Sequence, residues 1–168
     1  VVAAAAGTRI GVAGIEAGAD DFLTKAVASG ANDPQANFYL GLVRYTQNRN
    51  EDALALLRKA STLDATNAEV FYYLGETLSR LGKNAEATVE FNKATQLRDG
   101  YFEAWMSLGS AEYQLGNYDK AITAYEKAAR LRNDNYQAFN NLGDAYRQVG
   151  NFNKAESKRR IEQPVNDS

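Results

Sequence analysis

Ser107-Leu108-Gly109-Ser110-Ala111-Glu112 returns 34 residues later as Asn141-Leu142-Gly143-Asp144-Ala145-Tyr146. Working backwards from it, Tyr-Leu-Gly stands at 73–75 and again at 39–41. Gly41, Gly75, Gly109 and Gly143 are therefore evenly spaced, and one further step back lands on Gly7. A second series, Gly82, Gly116 and Gly150, keeps the same interval, with Asn48 and Gly14 in the earlier places. Ala19, Ala53, Ala87, Ala121 and Ala155 form a third series, and Ala26, Ala60, Ala94 and Ala128 a fourth. No insertion breaks the register. A fixed period of this length is the signature of a repeat architecture.

Each unit reads as two helices. In 102–135, Ala104, Trp105, Leu108, Ala111 and Leu115 recur at helical spacing, and Gly116-Asn117 stops the first helix. Tyr118, Ala121, Ile122, Tyr125, Ala128 and Ala129 make the second apolar stripe, and Asn133-Asp134-Asn135 supplies turn and capping residues. Gly109 and Ala121 let the two helices approach closely, and Ala128 leaves room for the next unit.

Composition excludes several chemistries. The 168 residues contain no Cys and no His, and 19 Lys+Arg face 21 Asp+Glu. Zinc fingers, thiol nucleophiles, haem ligation and Ser-His-Asp triads are thereby excluded. A net charge of −2 gives no basic face for nucleic acid. The longest apolar run, Val1 to Ala6, is far short of the ~20 residues that span a bilayer. The chain does not begin with Met, and Val1 is expected to follow a removed signal peptide or an artificial boundary. The absence of Cys leaves the compartment open, cytoplasmic or exported.

The pattern resembles the tetratricopeptide repeat. Its signature of aromatic, Leu-Gly, Tyr, Ala, aromatic and Ala is met by Trp105, Leu108-Gly109, Tyr113 (one place late), Ala121, Tyr125 and Ala128. The family's Pro before the next unit is replaced by Asn133, Asp99 and Ala65. The resemblance implies an all-α fold, a right-handed α-solenoid of antiparallel helix pairs, as one domain over 1–168. Within it, 34–67, 68–101 and 102–135 are full repeats and 1–33 is a degenerate one with an Ala-rich first helix. Residues 136–162 form a terminal capping repeat. Its last helix, about 152–162, carries Glu156 and Arg159 where other repeats have Ile122 and Tyr125, and so turns a polar face outward. No further repeat is expected after Ser168, and 163–168 read as an irregular tail. The N-terminal edge lacks such a cap and is expected to continue or to meet a partner.

In such a solenoid the first helix of each pair lines the concave face with its second, fifth, sixth, ninth, twelfth and thirteenth residues. The resemblance so implies a groove with Phe38, Tyr39, Leu42 and Tyr45 at one end, then Glu69, Tyr72, Tyr73, Glu76 and Arg80, then Glu103, Met106 and Tyr113. Beyond them lie Ser107, Ser110, Asn140, Asn141, Asp144, Arg147 and Gln148. Clustered tyrosines favour binding, since each brings much contact area at low entropy cost. The competing reading is that they pack between units. Some relatives clamp the C-terminal carboxylate of heat-shock chaperones with Lys, Asn and Arg. The corresponding places hold Phe38, Leu42, Tyr73, Glu103 and Ser107, or Tyr72, Glu76, Ser107, Gln137 and Asn141 in the next register, and neither set is cationic. Nor is there the asparagine ladder of the O-linked N-acetylglucosamine transferases: its places hold Tyr39, Tyr73, Ser107 and Asn141.

Catalysis would need Glu69, Glu76 and Glu103 to act as paired carboxylates, for which a solvated acidic face is the plainer reading. Lys154, Lys158, Arg159 and Arg160 make a short basic cluster, read as cations near a helix C-terminus. The expectation is a non-enzymatic interaction scaffold without cofactor or metal. It holds a partner's peptide or helix, one with apolar side chains and a Lys or Arg, in its groove. No nucleic acid is expected. The alternative is a structural module that self-associates through its N-terminal edge.

Overall fold

In a computed structural model of the chain, residues 17–29 and 32–162 are described, with side chains over 20–29 and 32–150. Among them are eight helices: α1 (Ala17–Ala28), α2 (Pro34–Thr46), α3 (Asn50–Leu63), α4 (Ala68–Arg80), α5 (Asn84–Leu97), α6 (Phe102–Gln114), α7 (Tyr118–Leu131) and α8 (Tyr136–Glu162). No strand occurs among the described residues. The chain divides into two compact units, Val1–Arg98 and Asp99–Ser168.

In the first unit, α2 pairs with α3 and α4 with α5, α3 packs on α4, and α1 on α2. Helix starts follow the expected chemistry. Asp33 caps α2, accepting from the Gln35 backbone N–H at 2.9 Å with Pro34 in the first turn. Asn67 caps α4 by accepting from Glu69 N–H at 3.0 Å. The first helices end on the second series. Asn48 (φ 58°) and Gly82 (φ 74°) adopt the left-handed conformation, and the next N–H closes back on the helix, Lys83 to Leu78 O at 2.9 Å. The alanine series do the steric work expected of them: Ala53, Ala60, Ala87 and Ala94 have no exposed surface. That lets large side chains of the second helices lie on the first. Leu57 stands over Gly41 and Phe91 over Gly75.

α1 corresponds in register to a second helix, and the first helix expected for 1–33 lies outside the described residues. An ion pair from Arg44 to Asp20, 2.7 Å, ties α1 to α2. Arg44, with help from Gln47, holds the Asp20 carboxyl well below the usual carboxylate range.

In the second unit, α6 pairs with α7, and α8 packs on both. Gly116 (φ 78°) turns the chain, and Asn117 N–H reaches Glu112 O at 2.9 Å. Ala121, Ala128, Ala138 and Ala145 are fully buried. Trp105 packs beside Phe102, Ala128, Ala129 and Ala138, and its indole N–H donates to Asp99 O at 2.8 Å. It therefore sits between the helices of its repeat, as its place in the pattern requires.

One element departs from the sequence reading. A turn was expected at Gly150, giving a separate last helix over about 152–162. Instead α8 runs unbroken from Tyr136 to Glu162. Gly150 is helical, unlike its counterparts Gly82 and Gly116. Glycine permits the left-handed turn but does not compel it. Turning back gains stability only if the returning helix buries apolar surface, and with Glu156 and Arg159 at the core positions this one offers little. The tail expected over 163–168 lies outside the described residues.

Candidate functional site

In the first unit, α2 and α4 bring a linked set of aromatic rings together. Tyr73 is the hub. Its ring centroid lies 6.1 Å from Phe38, 5.7 Å from Tyr45 in an edge-on contact and 5.0 Å from Tyr72, also edge-on. Tyr39 lies 5.4 Å from Phe38, and Tyr72 touches Phe91 of α5 at 6.2 Å. Edge-to-face pairs of this sort contribute beyond the area they bury. Tyr39, Tyr45, Tyr72 and Tyr73 are half-buried, so each offers part of its surface to solvent. Phe38 and Leu42 do not: both are buried in the core. The expectation that they line the groove is corrected: both belong to the core, and the Phe38 ring meets those of Tyr39 and Tyr73.

One end of this set is polar. The Arg80 guanidinium lies over the Tyr45 ring, 3.6 Å from its centroid, and donates to Tyr45 O at 2.9 Å. The Tyr45 hydroxyl donates to Glu76 Oε2 at 3.3 Å. Burial first, and then the Glu76 charge, push the Tyr45 phenol up to about 12. Arg80 is thus engaged in holding Tyr45 rather than standing as a loose counter-charge.

The acids are less available than the sequence suggested. Arg98, at the end of α5, pairs with Glu69 at 3.1 Å, and Arg132, at the end of α7, pairs with Glu103 at 2.7 Å. Asp144 pairs with Arg147. Sequence reasoning passed over Arg98 and Arg132. The signal was there: they are one repeat period apart, and each follows its glutamate by 29 residues.

In the second unit, Met106 and Tyr113 are half-buried and pack on the core formed by Ala121, Tyr125 and Ala145. Tyr113 stacks edge-on with Tyr118 at 5.2 Å and accepts from Gln148 at 3.2 Å. Tyr125 reaches Ser110 and Asn141, and burial raises its phenol above the ordinary value. Among the described residues no cluster of His, Cys, Asp and Glu could hold a metal ion, and no helix is long and apolar enough to cross a membrane.

The paired helices, the glycine seats and the left-handed turns every 34 residues are the features by which the family is recognised. A profile described as TPR repeat matches residues 41–82 and 109–150, together half of the chain. The chain belongs to the TPR repeat family. No curated protein matches it in sequence. This TPR chain resembles a crystal structure of MamA at 28% identity and a TM-score of 0.75, over 86% of this chain and 89% of that one. It resembles YrrB, described as a TPR protein with an unusual peptide-binding site, at 24% identity and a TM-score of 0.73, over 88% and 78%. The first TPR domain of Spaghetti (RPAP3), bound to the HSP90 peptide SRMEEVD, aligns at 23% identity and a TM-score of 0.67, over 70% and 93%. The last two likenesses establish the fold alone.

Proposed function

We propose that this TPR protein is a non-catalytic adaptor whose first unit holds an extended peptide or a helix of a partner against α2 and α4. The observation that carries this reading is the ring cluster centred on Tyr73, which leaves four half-buried tyrosines on first helices. Tyr39, Tyr72 and Tyr73 are the anchors. Phe38, buried, packs its ring against Tyr39 and Tyr73, and Tyr45, Glu76 and Arg80 close the polar end. Glu103, Met106 and Tyr113 form a lesser face on the second unit.

A partner suited to this surface brings two or three apolar side chains and a Lys or Arg. The rings carry most of the affinity, while Glu69 and Glu103, already paired with arginines, contribute mainly to orientation. The chaperone-peptide mode of RPAP3 is not the one proposed, because the clamp places of this chain hold no cation. The test is to pan a displayed peptide library on the full chain and on a Tyr39→Ala/Tyr72→Ala variant of unchanged helicity. The parent should enrich apolar, Lys/Arg-containing peptides, and the variant should bind them about tenfold more weakly, a difference of ~1.4 kcal/mol. Equal enrichment on both would overturn the reading.

A further inference from the structure

Asp99-Gly100 is the one Asp-Gly step in the chain, and no Asn-Gly step occurs. The two residues form the turn between the end of α5 at Leu97 and the start of α6 at Phe102. Both are exposed, with 73% of the Asp99 side chain open to solvent. No heavy atom lies within 4 Å of the place a Cβ on Gly100 would take. The Gly100 carbonyl accepts from Phe102 N–H at 3.0 Å, while among the described residues its own N–H donates to no backbone oxygen.

Asp99 is also the hub of a contact set in the second unit. Its main-chain oxygen accepts from the Trp105 indole N–H at 2.8 Å. Its carboxylate pairs with Lys127 of α7 at 2.6 Å, and the same ammonium lies 6.0 Å from the centroid of the Trp105 ring. One neutral and one charged acceptor of a single residue thus hold a side chain of α6 and one of α7.

We propose that Asp99-Gly100 is a site of spontaneous isoaspartate formation, and that the modification exchanges these two acceptors. In the acid form of Asp99, the Gly100 nitrogen attacks Cγ. An N–Cγ bond forms, and the carboxyl hydroxyl leaves with the amide hydrogen as water. Gly100 has no Cβ to obstruct this ring closure, unlike the residues that follow the other aspartates. Water then opens the succinimide at either carbonyl. Addition at Cγ restores aspartate. Addition at the main-chain carbonyl carbon breaks its bond to the Gly100 nitrogen and leaves the chain running through Cβ and Cγ. Mass is unchanged and no electrons are exchanged. The carbonyl that accepted from Trp105 is now a free carboxylate, the carboxylate that paired with Lys127 is now a neutral amide, and the backbone is longer by a methylene. Trp105, which packs beside Phe102, Ala128, Ala129 and Ala138, takes the consequence. The site lies in the second unit and is independent of peptide binding by the first.

The single tryptophan of the chain reports on the change. The full chain and its Gly100→Ala variant are aged for weeks at neutral pH and body temperature, cut after lysine, and fragment 94–120 is resolved by chromatography and electron-transfer fragmentation. A Cβ at residue 100 meets open space and no left-handed φ, so the variant folds as the parent does. The expected result is a second peak of equal mass with the isoaspartyl linkage at residue 99, ahead of every other aspartate, and forming several-fold more slowly in Gly100→Ala. The converted chain, separated from the rest, should show a shifted Trp105 emission and a lower melting temperature. The proposal is overturned if the folded chain stays unconverted at Asp99 while the chain unfolded in guanidinium converts, if Gly100→Ala ages at the parent's rate, or if the converted chain keeps the parent's Trp105 emission.

Discussion

The Tyr125 ring occupies the space in which Gly109 would carry a side chain: a Cβ built there lies 2.5 Å from Tyr125 Cε1. That approach joins α6 to α7 and is what the spacing of the glycines encodes. Gly109→Ala must displace a ring that is itself buried, an overpacking that costs ~1–3 kcal/mol. At Gly143 the same substitution meets, among the described residues, only Arg147 Nη1 at 3.8 Å, an ordinary contact, and alanine's better helix propensity should stabilise by up to about 1 kcal/mol. Denaturant midpoints of the two variants should move in opposite directions.

Ala121 is fully buried against Tyr125 and Ala145. Ala121→Leu forces extra volume between α7 and its neighbours and should lower stability by ~1–3 kcal/mol. Thermal unfolding checks it, and an unchanged melting temperature would count against the repeat register.

Tyr45 gives a pH signature. Its folded phenol is raised from 10.0 to about 12, whereas in the unfolded chain it titrates near its ordinary value. The folded state therefore holds its proton more tightly. The stability this confers is complete below pH 10 and is lost as pH rises from 10 through 12. Spectrophotometric titration of the parent against Tyr45→Phe should show one tyrosine ionising late. Alkaline loss of stability should be shallower in the variant.

The pairs Glu69–Arg98 and Glu103–Arg132 are solvent-accessible and should matter little to folding. Arg98→Ala should cost no more than about 1 kcal/mol, and less in high salt. Urea titration at two salt concentrations measures it.

The repeat period, the helix pairs and the turns at Asn48, Gly82 and Gly116 were legible because each rests on local chemistry repeated at fixed spacing. The burial of the alanine series follows from the same pattern. Gly150 was misread because a glycine states what the backbone is free to do. Whether it turns depends on what the following segment can bury, and the sequence there has Arg159 where the repeat before has Tyr125. Phe38 and Leu42 were assigned to a surface by family position, although their size and apolarity already suited them to the core. The tyrosines were named as a group from their places in the repeat. Their ring contacts, and the role of Arg80 in holding Tyr45, depend on the approach of α2 to α4, which no single helix reveals.

The central claim is that the tyrosine face of the first unit carries binding. Calorimetric titration of a peptide enriched on the parent, against parent, Tyr72→Ala, Tyr73→Ala and Glu76→Gln at two salt concentrations, tests it most directly. Each tyrosine variant should lose ~1–2 kcal/mol or more of binding free energy. Glu76→Gln should lose less, with the difference shrinking as salt rises. The account is contradicted if both tyrosine variants bind like the parent while a charge placed on the outer face, such as Val89→Asp on α5, abolishes binding.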